Sequence, residues 1–389
     1  MSGKIYSSIE LLEKLISYPT VSSASNMELI SFIQDYLKSW GIEATLFQNT
    51  EKTKANLFAT VGPKDKYGII LSGHTDVVPI EGQNWTKDPF RMSEDDNKLF
   101  GRGTSDMKGF IAISLSLIPE IISRGLKEPI HFAFSYDEET GCTGCKSMID
   151  YVSTLKVKPR ACIVGEPTSL KVVNSHKGIR SYWVTIKGKA AHSSAPDDGS
   201  NAIMAAADLI GFIKTEAKNS KNFPSNDERF IPPYTTFNVG EIKGGNAINI
   251  IAEHTQFGFE FRPVPGFDSD AVVERFTSYA KNTVLKEMRA SASESIIDIH
   301  EISNVPPLLK EGDGDLESFI MRLTKTNDVE AVAYATEAGL FQQTAEIPTI
   351  VCGPGSITQA HKPDEFIEIS QIQEAEKFFG RLLDVVCKT

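Results

Sequence analysis

The feature that most constrains the fold is a change of pattern near residue 179. Before it, helical patterns near 26–40 (ending at Gly41), 108–124 and 143–154 alternate with strand patterns near 55–61, 67–73, 129–135 and 160–164. Strands separated by helices predict an α/β layer with a mostly parallel sheet, whose ligand sites gather at the carboxyl ends of the strands. Beyond residue 179 the order is "RSYWVTIKG" (strand), "NAIMAAADLIGFIK" (helix), "TTFNVGEIKG" and "HTQFGFEFRPV" (strands), "SDAVVERFTSYAKNTVLKEM" (helix) and "SIIDIHEI" (strand). This β-α-β-β-α-β order predicts a ferredoxin-like α+β unit inserted at 179–304. After about 305, "EAVAYA" and "TIVCG" resume the first pattern, so residues 1–178 and 305–389 are expected to share one domain. A chain of 389 residues is too long for one ordinary core, which favours the same division.

Charge narrows the partners. Forty basic against 51 acidic residues leave a net charge of −11, which argues against nucleic acid and anionic membrane and for a small-molecule partner. The amino terminus, "MSGKIYSSIELLEKLISYPT", reads as a short amphipathic helix, because charges interrupt its apolar positions and no small-residue cleavage site follows. The longest apolar stretch, "GFIAISLSLIPEII", is too short and interrupted to span a bilayer. Five cysteines in so long a chain fit free thiols in a reducing cytoplasm. "CTGC" at 142–145 has redox spacing, but it follows three acidic residues that raise a thiol's pKa.

Five short stretches carry most of the unusual chemistry: "GHTDVVP", "GRGTSDMKG", "YDEETG", "VGEPTS" and "AHKPDE". Each follows an apolar strand pattern or sits in a loop bounded by Gly or Pro. In a strand, residues two apart share a face, so His74 and Asp76 are expected side by side, the carboxylate fixing the imidazole. Any one of these acids could be a turn former or a helix cap. Together they offer two histidines and at least four carboxylates with no thiolate, the ligand set of a two-zinc hydrolytic site. Adjacent Glu138 and Glu139 point to different sides in an extended segment, so one can bind metal while the other handles protons. A Gly-x-Ser-x-Gly elbow, a phosphate loop and a dinucleotide glycine motif are all missing.

These stretches, in this order, resemble the co-catalytic zinc amidohydrolases that include acetylornithine deacetylase, succinyl-diaminopimelate desuccinylase and glutamate carboxypeptidases. The resemblance covers the whole chain, insert included, and implies a zinc-peptidase-like catalytic domain. "ACIVGEPTSL", "SHKG", "AHSSAP", "GGNAIN", "FRPVPG" and "YATEAGLFQ" look most like acetylornithine deacetylase. Carried over by residue, the resemblance implies one metal on His74, Asp106 and Glu166 and a second on Asp106, Glu139 and His361, with Asp106 as the bridge. It also implies a cis peptide after Asp106, Asp76 as the orienter of His74, and Glu138 as general base. His192 is similar to the family's histidine that crosses a homodimer interface to the oxyanion. Arg262 matches the clamp on the substrate carboxylate, and Asn249 an amide donor near the oxyanion, although relatives usually read Asn-Val-Ile-Pro there. The implied activity is hydrolysis of an N-acyl amino acid, foremost N2-acetyl-L-ornithine to ornithine and acetate, as in arginine biosynthesis, with Glu337 as a partner for the substrate amine. The ions would be zinc, with cobalt or manganese as alternatives. A desuccinylase or carboxypeptidase on the same scaffold is the rival enzyme, and a catalytically dead binding homologue the rival from another class.

Overall fold

A computed structural model describes residues 3–312 and 314–388 of the chain. Two compact units emerge. The first comprises the described residues up to Ser175, Leu308–Ala331 and those from Thr336 onward; the second comprises His176–Pro307 and Val332–Ala335. The second unit therefore starts and ends a few residues outside the expected 179–304 and takes in a short piece of later chain.

The first unit is built on an eight-stranded sheet in the order Ala44–Gln48, Ala55–Val61, Ile130–Ser135, Ile69–His74, Ala161–Pro167, Thr349–Gly353, Val172–His176 and Val329–Val332. The four strands from Ile130–Ser135 to Thr349–Gly353 run parallel, and antiparallel strands flank them. Ile69–His74 is buried at every position, so both faces are covered and no polar alternation is needed. Helices supply that cover: Ile369–Val386 buries Ile372, Ala375, Phe379, Leu382, Leu383 and Val386 at three- and four-residue spacing. The helix Ser8–Ile16 starts with a capping box, in which Glu10 N–H donates to Ser7 Oγ and Ser7 N–H donates to the Glu10 carboxylate.

The single helix expected over 108–124 is two, Lys108–Ser116 and Ile118–Arg124. Pro119 lacks the N–H that would reach the carbonyl of Leu115 and its ring crowds that carbonyl, so the helix restarts at Ile118. Sequence periodicity also passed over the short hairpin Ser93–Asp95 and Lys98–Phe100 and its partner Phe366–Glu368, strands too short to carry a pattern.

The second unit has the order strand, helix, strand, strand, helix, strand. Its sheet runs Thr236–Gly244, His254–Arg262, Ile179–Lys187, Ile296–Val305, antiparallel throughout. Phe257, Phe259 and Phe261 point to one face and close over Phe276 and Leu209 from the helices. Among the described residues, no helix is long and apolar enough to cross a membrane.

Candidate active site

The unusual residues of the first unit converge at the carboxyl ends of its parallel strands. His74 is the last residue of its strand and is 1% exposed. Its Nδ1 lies 2.9 Å from the backbone carbonyl of Asp76, so Nδ1–H donates there and Nε2 is turned inward. Nε2 meets Asp106 Oδ1 at 3.0 Å and Glu166 Oε1 at 3.9 Å. The other oxygen of Asp106, Oδ2, lies 3.3 Å from His361 Nε2, which is also 3.0 Å from Glu139 Oε2. One carboxylate thus faces two histidines, one with each oxygen. The Asp106–Met107 peptide is cis. Gly103 holds φ at +89° in the turn before Asp106, and a side chain there would meet Val77 and Lys108.

Asp76 departs from the expected geometry. The strand ends at His74, so the two side chains do not share a strand face. It is the Asp76 main chain that holds the imidazole, while its carboxylate oxygen stays 3.6 Å from Nδ1. That carboxylate instead accepts from Ser22 Oγ at 2.7 Å and from the backbone N–H groups of Glu138 and Glu139 at 3.2 and 3.3 Å. Glu138 and Glu139 lie in a turn closed by the N–H of Gly141 and Cys142 on the Glu138 carbonyl.

Charge is concentrated here. Burial pushes Glu138 and Glu166 well above the ordinary carboxylate range, and neighbouring carboxylates add to the shift. The same two causes push Glu139 up to about 7. Burial alone would lower His74, but its carboxylate partners Asp106 and Asp76 carry it well above the usual value. Asp106 and Glu139 raise His361 to about 10. Glu139 Oε1 and Glu166 Oε1 are buried with no hydrogen-bond partner. His74, Glu138 and Glu166 bring one ligand atom each within 4.8 Å of one another, and so do His74, Asp106 and Glu139. A divalent cation fits this donor set: it would occupy the orphaned oxygens and offset the repulsion among buried acids.

The remaining expected site residues are Glu337 in the first unit and His192, Asn249 and Arg262 in the second. Glu337 is 1% exposed, and its carboxylate accepts from Ser72 Oγ at 2.5 Å beside the strand that carries His74. Its other oxygen, Oε2, is buried without a hydrogen-bond partner. In the second unit, His192 is exposed and lies 2.7 Å from Ser194 Oγ. The N–H of Ser194 donates to His192 Nδ1 at 3.2 Å, so Nε2 carries the ring proton. The segment of Asn249, also exposed, pairs with that of His192, with Ser193 N–H donating to the Asn249 carbonyl at 3.1 Å. Arg262 ends its strand half-buried and binds Glu260 at 3.0 Å.

Sequence reasoning missed the support around these groups. Glu365, quoted within "AHKPDE", received no role, although a fully buried acid beside a ligand candidate is a signal once burial is known. Buried Lys108 donates to the carbonyls of Leu15 and Tyr18, tying the first helix to the loop of Asp106. The five cysteines are buried and free. Hydrogen bonding to Cys145 and burial push the Cys142 thiol well above its ordinary range, which removes the nucleophilic thiolate a redox pair needs.

Comparison with known proteins agrees with this layout. An acetylornithine deacetylase of Buchnera aphidicola subsp. Acyrthosiphon pisum (strain Tuc7) is 36% identical over 396 residues, covering 100% of each chain. In fold, the chain is similar to an M20 family metallo-carboxypeptidase from Sulfolobus solfataricus, with a TM-score of 0.74, 19% identity and coverage of 97% of this chain and 98% of that one. It is also similar to the Bacillus subtilis YXEP protein, a dinuclear metal-binding peptidase, with a TM-score of 0.64, 17% identity and 97% coverage of each. Residues 70–385 match peptidase family M20/M25/M40. A single sequence match spanning this much of the chain, over residues that converge in three dimensions, makes the protein a metal-dependent amidohydrolase belonging to peptidase family M20/M25/M40.

Proposed function

We propose that this chain is a two-metal deacylase of N-acyl amino acids that converts N2-acetyl-L-ornithine to L-ornithine and acetate. The observation that carries the two-metal reading is Asp106, whose two oxygens face His74 and His361 separately. His74, Asp106 and Glu166 would hold one ion, and Asp106, Glu139 and His361 the other. Two zinc ions, with cobalt or manganese as alternatives, would acidify a bound water and polarise the scissile carbonyl.

The chain's own groups do the rest. Glu138 lies in the cluster, and its raised pKa suits a base that takes a proton from the attacking water and returns it to the leaving amine. Asp76 holds the backbone of Glu138 and Glu139 through two N–H bonds and the His74 ring through its carbonyl. His192 offers an Nε2 proton to the developing oxyanion, with Asn249 as a second donor. Arg262 presents a planar fork to the substrate carboxylate. The substrate rests on 36% full-length identity to acetylornithine deacetylases. We further place the protein in the cytoplasm as a homodimer. Each sheet edge of the second unit, Thr236–Gly244 and Ile296–Val305, presents an exposed isoleucine, Ile242 or Ile296, which a partner would cover.

Rates on N2-acetyl-ornithine, N-succinyl-diaminopimelate and a dipeptide, measured on metal-reconstituted protein, test the substrate. A preference for either of the last two rejects the deacetylase assignment. Glu138→Gln should keep its metal and lose roughly 10²–10⁴-fold in kcat. Mixing inactive His192→Ala with inactive Glu138→Ala should restore activity under confirmed subunit exchange, because one site of the mixed dimer is then intact. No recovery rejects a histidine acting across the interface.

A further inference from the structure

Glu365 is 1% exposed, and its carboxylate accepts four hydrogen bonds. Oε1 takes the backbone N–H groups of Ser105 at 2.9 Å and Asp106 at 3.0 Å. Oε2 takes the Gly103 N–H at 3.0 Å and Arg102 Nη1 at 2.7 Å. Its own carbonyl receives the N–H of Gly101 at 2.9 Å. One residue therefore gathers the whole turn that ends at Asp106.

The connection continues to the second histidine. Arg102 Nη2 donates to Gln83 Oε1 at 2.5 Å, and Gln83 Nε2 donates to the backbone carbonyl of His361 at 3.1 Å. The Arg102 guanidinium also lies over Trp85, 4.9 Å from the ring centroid. His361 needs such help. It holds φ at +63°, a conformation that a residue with a side chain adopts only when its surroundings impose it, and its side chain is 53% exposed.

A buried ion pair is by itself a weak source of stability, because desolvation offsets much of the attraction. What the Arg102–Glu365 pair gains is direction. Its bonds are spent on the backbone immediately before one candidate ligand and, through Gln83, on the carbonyl of another. We infer that Glu365, Arg102 and Gln83 form a hydrogen-bonded clamp that sets the separation and aim of Asp106 and His361, with Glu365 as the positioning residue for the metal pair. This rests on the proposed ligand roles of Asp106 and His361. Glutamine cannot replace Glu365, because its amide group would set a donor against N–H donors whichever way it is turned.

Titration of the metal-stripped full-length protein with cobalt(II), followed by its visible spectrum and by calorimetry, tests the clamp. Melting of the metal-free protein serves as the control. Glu365→Gln should weaken cobalt affinity by about 10–100-fold, the usual cost of losing outer support for metal ligands. Gln83→Leu, which leaves the carboxylate bonds intact, should give a smaller loss confined to one of the two binding steps and an altered cobalt spectrum, with metal-free melting unchanged. If Glu365→Gln does not fold, Glu365→Asp takes its place. Wild-type affinity and spectrum in both the Glu365 and the Gln83 variants overturn the clamp. Asp106→Ala and His361→Ala are run alongside: if they bind cobalt normally, the ligand assignment has failed and the inference falls with it. If they lose cobalt while the clamp variants do not, only the clamp is wrong.

Discussion

Two histidines on neighbouring strands of one sheet have opposite fates. His74 closes the strand Ile69–His74 and sits opposite Ser135, the last residue of the parallel strand Ile130–Ser135. His131 lies at the other end of that second strand, opposite Ile70. Both are buried, at 1% and 6% exposure. At the carboxyl rim, carboxylates surround His74 and carry its pKa well above the ordinary value. At the amino rim, His131 has Thr60 Oγ1 at 2.9 Å and the ring of Phe58 stacked on it, and burial pushes it down to about 4. The same side chain is thus a charge partner at one end of the sheet and a neutral packing group at the other. Strand direction makes the difference, because the loops that leave the carboxyl ends are the ones that bring acids together.

The largest expected effect falls on the carboxyl rim. Asp106→Ala removes the carboxylate whose two oxygens meet the two histidines of the cluster at 3.0 and 3.3 Å, so metal content after dialysis and turnover should both drop to background. Retention of both ions with normal turnover would reject the bridge. Next comes the paired test of the two histidines. His74→Ala should lose more metal affinity than the roughly 10–100-fold typical of outer support, whereas His131→Phe should bind metal and turn over like wild type. Equal losses in the two variants would erase the contrast between the rims.

The smallest effect is a slope with pH. An unfolded histidine titrates near 6.5, and folding holds His131 at about 4. Between those values the unfolded chain binds more protons, so this contribution is complete above about pH 6.5 and is lost as pH falls towards about 4. Buried His176, held at about 4 by the same cause, acts in the same direction. Urea midpoints of metal-free protein across that window should therefore fall more gently for His131→Phe than for wild type. Parallel curves would show that His131 does not carry the slope.

Periodicity and end signals in the sequence were enough to place most strands and helices and the β-α-β-β-α-β order of the second unit, but not the strands Ala44–Gln48 and Val172–His176 of the large sheet. Each element so placed depends on residues close together in the chain, and burial of a face leaves a mark in that local pattern. The candidate ligands were noticeable for a related reason, since each sits in a short polar stretch after an apolar run or in a loop, but their individual roles came from the family resemblance. Only the tertiary structure decided how those stretches meet. It places Asp106 between His74 and His361, moves the hold on the His74 ring from the Asp76 carboxylate to its carbonyl, and gives that carboxylate to the backbone of Glu138 and Glu139. It also sinks Glu337 beneath Ser72 and makes Glu365 the acceptor for the turn of Asp106. Glu365 and Asp106 are 259 residues apart in the chain. A hydrogen bond over such a separation depends on where two distant backbones come to rest, and the residues beside either partner carry no trace of that position.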